Sequence, residues 1–187
     1  MAFLESHAQA LVAIDFFAVP TLTFGVLYVF VVLAHERRRV LHFNVTDSPS
    51  ATWTAQQVVE AFPFEPAARY LQRDRDSIYG ASFARRVEGL GMTQKRIAPQ
   101  APWQSPYVER LIGTLRRECL DHVILINERH LRHVLRDFIG YYHRCRPHRS
   151  LEHDAPDTRP VQATDQGQVV ELPMAGGLHH QYTRRAA

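Results

Sequence analysis

Three acidic residues fall where carboxylates from separate elements can converge. Asp15 follows the apolar run 11–14, Asp74 follows a short strand candidate, and Glu109 lies in the first turn of a predicted helix. Open α/β sheets gather binding groups at strand ends. Carboxylates from different elements form the hard-oxygen set that magnesium prefers, and a pair of such ions supports phosphodiester chemistry. The pattern therefore predicts a two-metal site.

Two further acids compete for these roles. Asp76 is an alternative or accessory ligand, but we favour Asp74 because it directly ends the strand, where the scaffold holds a ligand most precisely. Glu118 is the rival of Glu109. It lies nine residues further along the helix, and at about 100° per residue this places it on the opposite helix face. We expect Glu118 to orient an arginine or backbone groups instead.

The composition is that of a globular chain with an arginine bias. Its 187 residues are 45% hydrophobic and 22% charged, which predicts a buried core and excludes a large multidomain protein. Arginine supplies 21 of 22 basic residues, and its planar fork fits phosphate, although genome base composition also explains such a bias. Cys119 and Cys145 both lie in predicted helices, which argues against a disulfide framework.

Periodicity predicts three strands, then a helix, a strand, a helix, a strand and two long helices. The predicted strands cover residues 11–14, 24–33, 40–46, 69–73 and 95–98, and the predicted helices lie around residues 55–62 and 83–90 and after the N-caps Ser105 and Asn127. This order predicts a mixed α/β sheet covered by helices on both faces.

The stretches around the three acids closely resemble the catalytic core of retroviral-type integrases and of related insertion-sequence transposases. These stretches are residues 13–17, 73–80 and 98–110, and they follow the D…D…E order of that family with 34 residues between Asp74 and Glu109. Residues 115–122 and 142–151 add to the similarity, which covers roughly residues 10–160.

The resemblance implies an RNase H-like fold, with a mixed five-stranded sheet flanked by helices on both faces, and a polynucleotidyl transferase. By position, Asp15, Asp74 and Glu109 would be the catalytic residues and the ligands of two Mg²⁺ or Mn²⁺ ions. Cleavage of a transposon end would leave a 3′ hydroxyl, which would then attack target DNA in line with no covalent protein intermediate. Transposon ends and target DNA would be the partners of a homo-oligomer.

Basic and aromatic residues around the acids are candidate DNA contacts. Arg116 shares a helix face with Glu109, and Arg110 and Arg117 flank that stripe. The remaining candidates are Trp103 and Gln104, in the loop before the catalytic helix, and Arg144, Arg146 and Arg149, in a stretch without acids. A solvated basic helix and ordinary loop packing are the structural alternatives.

We expect residues 1–155 to form the catalytic core and residues 156–187 to form a loosely structured tail. We expect no N-terminal helix-turn-helix module ahead of the first strand, which predicts a truncated element or a separate DNA-binding subunit. Two other functions stay open: a non-catalytic DNA-binding or oligomerising relic, and an RNase H-like nuclease without strand transfer. The most apolar segment, 21–34, is too short to span a bilayer, so we expect a cytoplasmic protein that acts at the bacterial nucleoid.

Overall fold

The computed structural model describes residues 10–63, 68–98 and 105–186, and a five-stranded sheet lies at their centre. The strands are β1 (Leu11–Pro20), β2 (Val26–Ala34), β3 (Val40–Thr46), β4 (Tyr70–Arg73) and β5 (Thr93–Arg96). Their spatial order is β3-β2-β1-β4-β5. The first three strands form an antiparallel meander, and β4 and β5 run parallel to β1. The predicted mixed five-stranded sheet is confirmed.

Two helices cover each face of this sheet within the described residues. They are α1 (Ala51–Ala61), α2 (Ala81–Gly89), α3 (Pro106–Glu118) and α4 (Glu128–Arg144). Side chains of alternate β1 residues enter two separate cores. Val12 and Ile14 pack with α1 and α2, whereas Ala13 and Phe17 pack with α3 and α4. The period-two alternation of a strand therefore supplies both faces of the molecule at once.

Two of the four α-helices begin with a side chain that accepts a hydrogen bond from a backbone amide of the first turn. Ser50 Oγ accepts a hydrogen bond from the Trp53 amide at 3.2 Å, and Asn127 Oδ1 accepts one from the His130 amide at 2.9 Å. The prediction that the Ser105 hydroxyl caps α3 is wrong. Its backbone angles, φ −122° and ψ 44°, differ from the extended values of Ser50, φ −131° and ψ 160°, and its side chain forms no capping bond. Proline at the first position still starts α3.

β1 continues beyond the end that the sequence predicts. The apolar run stops at Ile14, yet pairing with β2 continues to the Pro20–Val26 pair. Asp15 therefore lies inside a ten-residue strand rather than at its tip. β5 differs in the other direction and begins at Thr93, two residues before the predicted start. Neither shift is visible in the hydrophobic pattern, because partner strands set both boundaries.

The C-terminal segment contains an ordered hairpin where the sequence predicts a loosely structured tail. β6 (Gln168–Met174) and β7 (His179–Arg185) pair in antiparallel register. The His179 ring stacks on Tyr141 with centroids 4.3 Å apart, and its Nε2 lies 2.7 Å from the Glu118 carbonyl oxygen. The prediction failed because backbone pairing and one aromatic stack order a polar segment that has little apolar periodicity.

Cys119 and Cys145 are free and buried, and burial raises the pKa of the Cys119 thiol to about 12. Among the described residues, none of the helices combines the length and the apolar character that crossing a bilayer requires.

A buried histidine lies between β2 and α3. His35 is 1% exposed, its ring meets the Tyr107 ring edge-on at 4.9 Å, and neither ring nitrogen has a hydrogen-bond partner in the described part of the chain. Burial, with a smaller contribution from the positive charge of Arg38, lowers the pKa of His35 to about 4. The imidazole is therefore neutral at physiological pH.

We expect acid to destabilise the fold through His35. A pKa that falls from 6.5 in the unfolded chain to about 4 in the folded chain leaves stability intact above pH 6.5 and removes it as the pH falls towards 4. The loss by pH 5 should be about 2 kcal/mol. Urea unfolding of His35→Phe should show less loss between pH 7 and 5 than wild type, whereas the exposed control His133→Gln should follow wild type. An unchanged slope in His35→Phe would contradict this account.

Candidate active site

The negative charges of Asp74 and Glu109 act on Asp15 in the region where β1 separates from β4. The parallel ladder between these strands ends at the Ala13–Gln72 pair, while β1 continues along β2. Asp15 lies two residues beyond this last pair, and Asp74 directly follows the last residue of β4. Asp15 shares a face of β1 with Ala13, and this face is covered by α3. Because α3 carries Glu109 in its first turn, all three acids approach one edge of the sheet.

Local hydrogen bonds shape the turn after β4. Asp74 Oδ1 accepts from the Asp76 amide at 3.0 Å, and Asp76 Oδ1 accepts from the Ile78 amide at 2.9 Å. Both carboxylates thus stabilise an Asx-type turn and keep a second oxygen for other partners. A cleft of about 480 Å³ opens beside this turn, with Asp76 and Ala18 among its lining residues.

The pKa of Asp15 reflects its burial and, to a smaller extent, the charges of the two other predicted acids. Burial raises the pKa of Asp15 to about 7; a hydrogen bond from the Phe16 amide opposes this, and the negative charges of Asp74 and Glu109 raise the pKa further. Tyr79, which is buried nearby, has its pKa raised by burial and then by Asp15 and Asp74, among other charges. A buried carboxyl group with two carboxylates nearby is a typical functional-site arrangement.

The donor chemistry at this edge fits a divalent cation, although the side chains do not form a closed ligand set. Asp15, Asp74 and Glu109 offer the hard carboxylate oxygens that Mg²⁺ and Mn²⁺ take. Burial, with smaller contributions from the charges of Asp74 and Glu109, raises the pKa of Asp15 to about 7. Across residues 10–63, 68–98 and 105–186, however, the structure brings no three His, Cys, Asp or Glu side chains close enough to hold an ion.

Glu118 has the orienting role that its helix position predicts. Its carboxylate accepts two hydrogen bonds from Arg146, from Nε at 2.7 Å and from a terminal nitrogen at 2.6 Å. The pair connects the end of α3 to the segment after α4, and the bonds from Arg146 hold the pKa of Glu118 below its usual value. Glu118 is therefore paired with Arg146, which uses two of its five N–H donors in this pair.

The predicted DNA-contact arginines separate into different places. Arg116 lies against β1: one of its terminal nitrogens is 3.4 Å from the Ala18 carbonyl oxygen, and its guanidinium lies 5.7 Å from the Phe17 ring centroid. Arg144 folds back against Gly140 of the preceding turn. Trp103 and Gln104 lie outside the described residues.

The other predicted arginines line a groove on a different flank of α3. The groove has a volume of about 290 Å³, and its arginines are Arg38, Arg110, Arg117, Arg146 and Arg149. Arg110 and Arg117, which flank the Glu109 stripe by helix position, thus line a groove together with arginines from other segments. Sequence reasoning missed Arg38, and the signal was the run of three arginines after β2. Within that run, Arg37 and Arg39 form ion pairs with Asp154 and Asp157.

Asp15→Asn should stabilise the metal-free protein. Because the pKa of Asp15 is raised from 3.8 to about 7, stability falls as the pH rises through that interval, and a neutral isostere removes the penalty. At pH 8 in the presence of EDTA, we expect the free energy of unfolding to rise by about 2 kcal/mol. Glu88→Gln, on the exposed face of α2, serves as the control. Equal stabilities of wild type and Asp15→Asn would contradict the crowding of charge at this edge.

Part of the chain matches a known family model. Residues 90–156 match the model of the integrase core domain family. The sequence gives no match in a search of curated proteins.

Solved structures share the fold at low sequence identity. A chain of the simian T-cell lymphotropic virus intasome aligns with a TM-score of 0.64 at 14% identity, over 93% of this chain and 66% of that chain. The catalytic domain of Mos1 mariner transposase aligns with a TM-score of 0.62 at 11% identity, over 74% of both chains.

A third structure is the HTLV-2 integrase catalytic core domain, in complex with magnesium and in a trimeric form. It aligns with a TM-score of 0.62 at 10% identity, over 79% of this chain and 93% of that chain. Residues 90–156 are thus similar to the integrase core domain family, and the described chain has the RNase H-like fold of integrase and transposase catalytic cores.

Proposed function

We propose that this protein is a DDE-type transposase or integrase core that cleaves DNA and transfers strands between DNA molecules. The observation that carries the proposal is the crowding of Asp15 by Asp74 and Glu109 at the edge where β1 leaves β4. Asp15, Asp74 and Glu109 would hold Mg²⁺ or Mn²⁺. When bound, a pair of such ions activates the attacking oxygen and stabilises the leaving oxygen of a phosphodiester.

Residues of the chain would position the substrate around this edge. The cleft beside Asp76 is open to solvent and adjoins the acids, so it offers space for a DNA strand. Arg116 contacts the carbonyl oxygen of Ala18 on β1, and Ala18 is three residues from Asp15 along the strand. From there the guanidinium would bind a backbone phosphate of the DNA. Asp76 serves as an accessory acid that fixes the turn after β4. Carboxylates thus hold the cations, and the arginine holds the strand.

We further propose DNA as the partner, both as transposon end and as target, and self-association of the chain. A separate DNA-binding subunit would supply recognition of terminal repeats, and the reaction would take place at the nucleoid in the bacterial cytoplasm. The intasome and trimeric core among the similar structures support an assembly rather than a single chain as the working unit.

Asp74→Asn should abolish Mg²⁺- or Mn²⁺-dependent DNA nicking without unfolding the protein. The amide retains an oxygen that can accept from the Asp76 amide but loses the negative charge that would hold a cation. We expect at least a hundredfold loss of nicking of a supercoiled plasmid, and the same loss of reversal of strand transfer on a branched substrate. The exposed Asp165→Asn serves as the matched control. Equal cleavage by wild type and Asp74→Asn would refute the role of the acids, and nicking without reversal would favour a nuclease.

Arg116→Ala should weaken DNA binding equally for all sequences. A contact to a backbone phosphate carries no base information, so the dissociation constant should rise about fivefold to tenfold for unrelated duplexes, and the slope of log K against log salt should fall by about 1. Fluorescence anisotropy in EDTA at several salt concentrations measures both. A loss restricted to one sequence would indicate base reading instead.

A second candidate is a non-catalytic DNA-binding relic. It is favoured by one observation: the described residues contain no closed set of three metal-ligating side chains. The nicking and binding experiments separate the two candidates, because a relic binds DNA in a salt-dependent manner but never cuts it. Calorimetric titration of Mg²⁺ and Mn²⁺ into wild type and Asp74→Asn adds a test that does not depend on activity.

A further inference from the structure

The groove lined by Arg110 and Arg117 contains more arginine side chains than acidic partners. Five arginines and one glutamate line it, together with Tyr107 and the turn at residues 147–150. The glutamate, Glu118, is engaged by Arg146 through two hydrogen bonds. Arg110, Arg117 and Arg149 are exposed, and none of them forms an ion pair within the described ranges.

Arg38, another arginine of this groove, is held in place by contacts with its neighbours. The Arg38 guanidinium lies 3.3 Å from the Tyr107 ring centroid, and a terminal nitrogen donates to the His35 carbonyl oxygen at 2.5 Å. Tyr142 on α4 donates its hydroxyl to the Arg38 carbonyl oxygen at 3.1 Å. Less side-chain entropy is therefore lost when this cation binds an anion, because its geometry already exists.

Helix geometry separates the groove from the acidic edge. Glu109 and Arg116 form one row along α3, seven residues apart, and Arg110 and Arg117 form another row about 100° around the helix. The first row meets β1 at Phe17 and Ala18. The second faces the turn after α4. The body of α3 therefore lies between two charged surfaces of opposite sign.

We propose that this groove binds the backbone phosphates of a DNA segment other than the one at the acidic edge. The inference rests on the proposed function for its choice of DNA. Arg110 and Arg117 lie about 10 Å apart along the helix axis at 1.5 Å per residue, whereas one strand of DNA presents a charge about every 3.4 Å of axis. A repeating polyanion matches this spread of cations, and a single phosphate ion does not. Two DNA segments held on one chain are what a transfer reaction between molecules requires.

The test compares two double variants in EDTA, so that chemistry does not occur. Arg110→Ala with Arg149→Ala removes two exposed groove cations and leaves the Glu118–Arg146 pair intact. Arg85→Ala with Arg86→Ala removes two exposed cations on α2, across the sheet, and serves as the control. Binding of a 30-base-pair duplex of arbitrary sequence is followed by fluorescence anisotropy across a salt series, and thermal melts verify that each variant folds.

We expect the groove variant to raise the dissociation constant about tenfold to a hundredfold and to lower the slope of log K against log salt by about 2. The control should match wild type. Combination with Arg116→Ala should give additive losses, because the two surfaces do not share a contact. A groove variant with wild-type affinity and slope would overturn the proposal, as would weakening only for an acidic peptide or displacement of the duplex by millimolar inorganic phosphate.

These outcomes are distinguishable from those of the proposed function. A smaller slope of log K against log salt in the groove variant, with no nicking by wild type, would support DNA binding in the groove and refute the proposed enzyme. Nicking that depends on Asp74 with an unchanged groove slope would support the enzyme and refute the groove.

Discussion

β1 pairs with β2 over a longer stretch than it pairs with β4, and the candidate site lies where the pairing with β4 ends. The antiparallel ladder to β2 continues to Pro20, while the parallel ladder to β4 ends at Ala13. Past that point the edge of β1 no longer has β4 as its neighbour, and the chain after β4 turns away through Asp74 and Asp76. A cleft can open only because one partner strand stops. Asp15 lies two residues beyond the last pair with β4, while the antiparallel ladder to β2 keeps its backbone fixed.

α3 lies between the acidic edge and the arginine-lined groove. Its apolar side, with Leu111 and Leu115, enters the core under the sheet, and the two remaining flanks carry opposite charge. Glu109 faces the acidic edge, and Glu118 faces the arginines and pairs with Arg146. Because His179 also bonds to the Glu118 carbonyl oxygen, the end of α3 is held by both α4 and the C-terminal hairpin. A helix fixed at its far end keeps the first turn, and therefore Glu109, in a constant position.

Much of this arrangement could be predicted from the sequence, and the exceptions have physical reasons. Strand β3 over Val40–Thr46 and the Asn127 cap follow from local patterns, and both are confirmed. The opposite-face position of Glu118 follows from helix arithmetic. The extension of β1 past Ile14, the separate groove around Arg110 and the ordering by His179 depend on partners distant in sequence, which periodicity cannot report. The missing Ser105 cap depends on backbone angles that residue type does not determine.

The crowded carboxyl group at position 15 has a consequence for how such a chain changes over generations. Folding alone gains from any small neutral residue at this position, because a buried acid with two acids nearby opposes the folded state at neutral pH. In a chain without activity, substitution of Asp15 by a neutral residue would therefore increase the stability of the fold. An aspartate at this place in the sheet therefore costs stability in the metal-free fold.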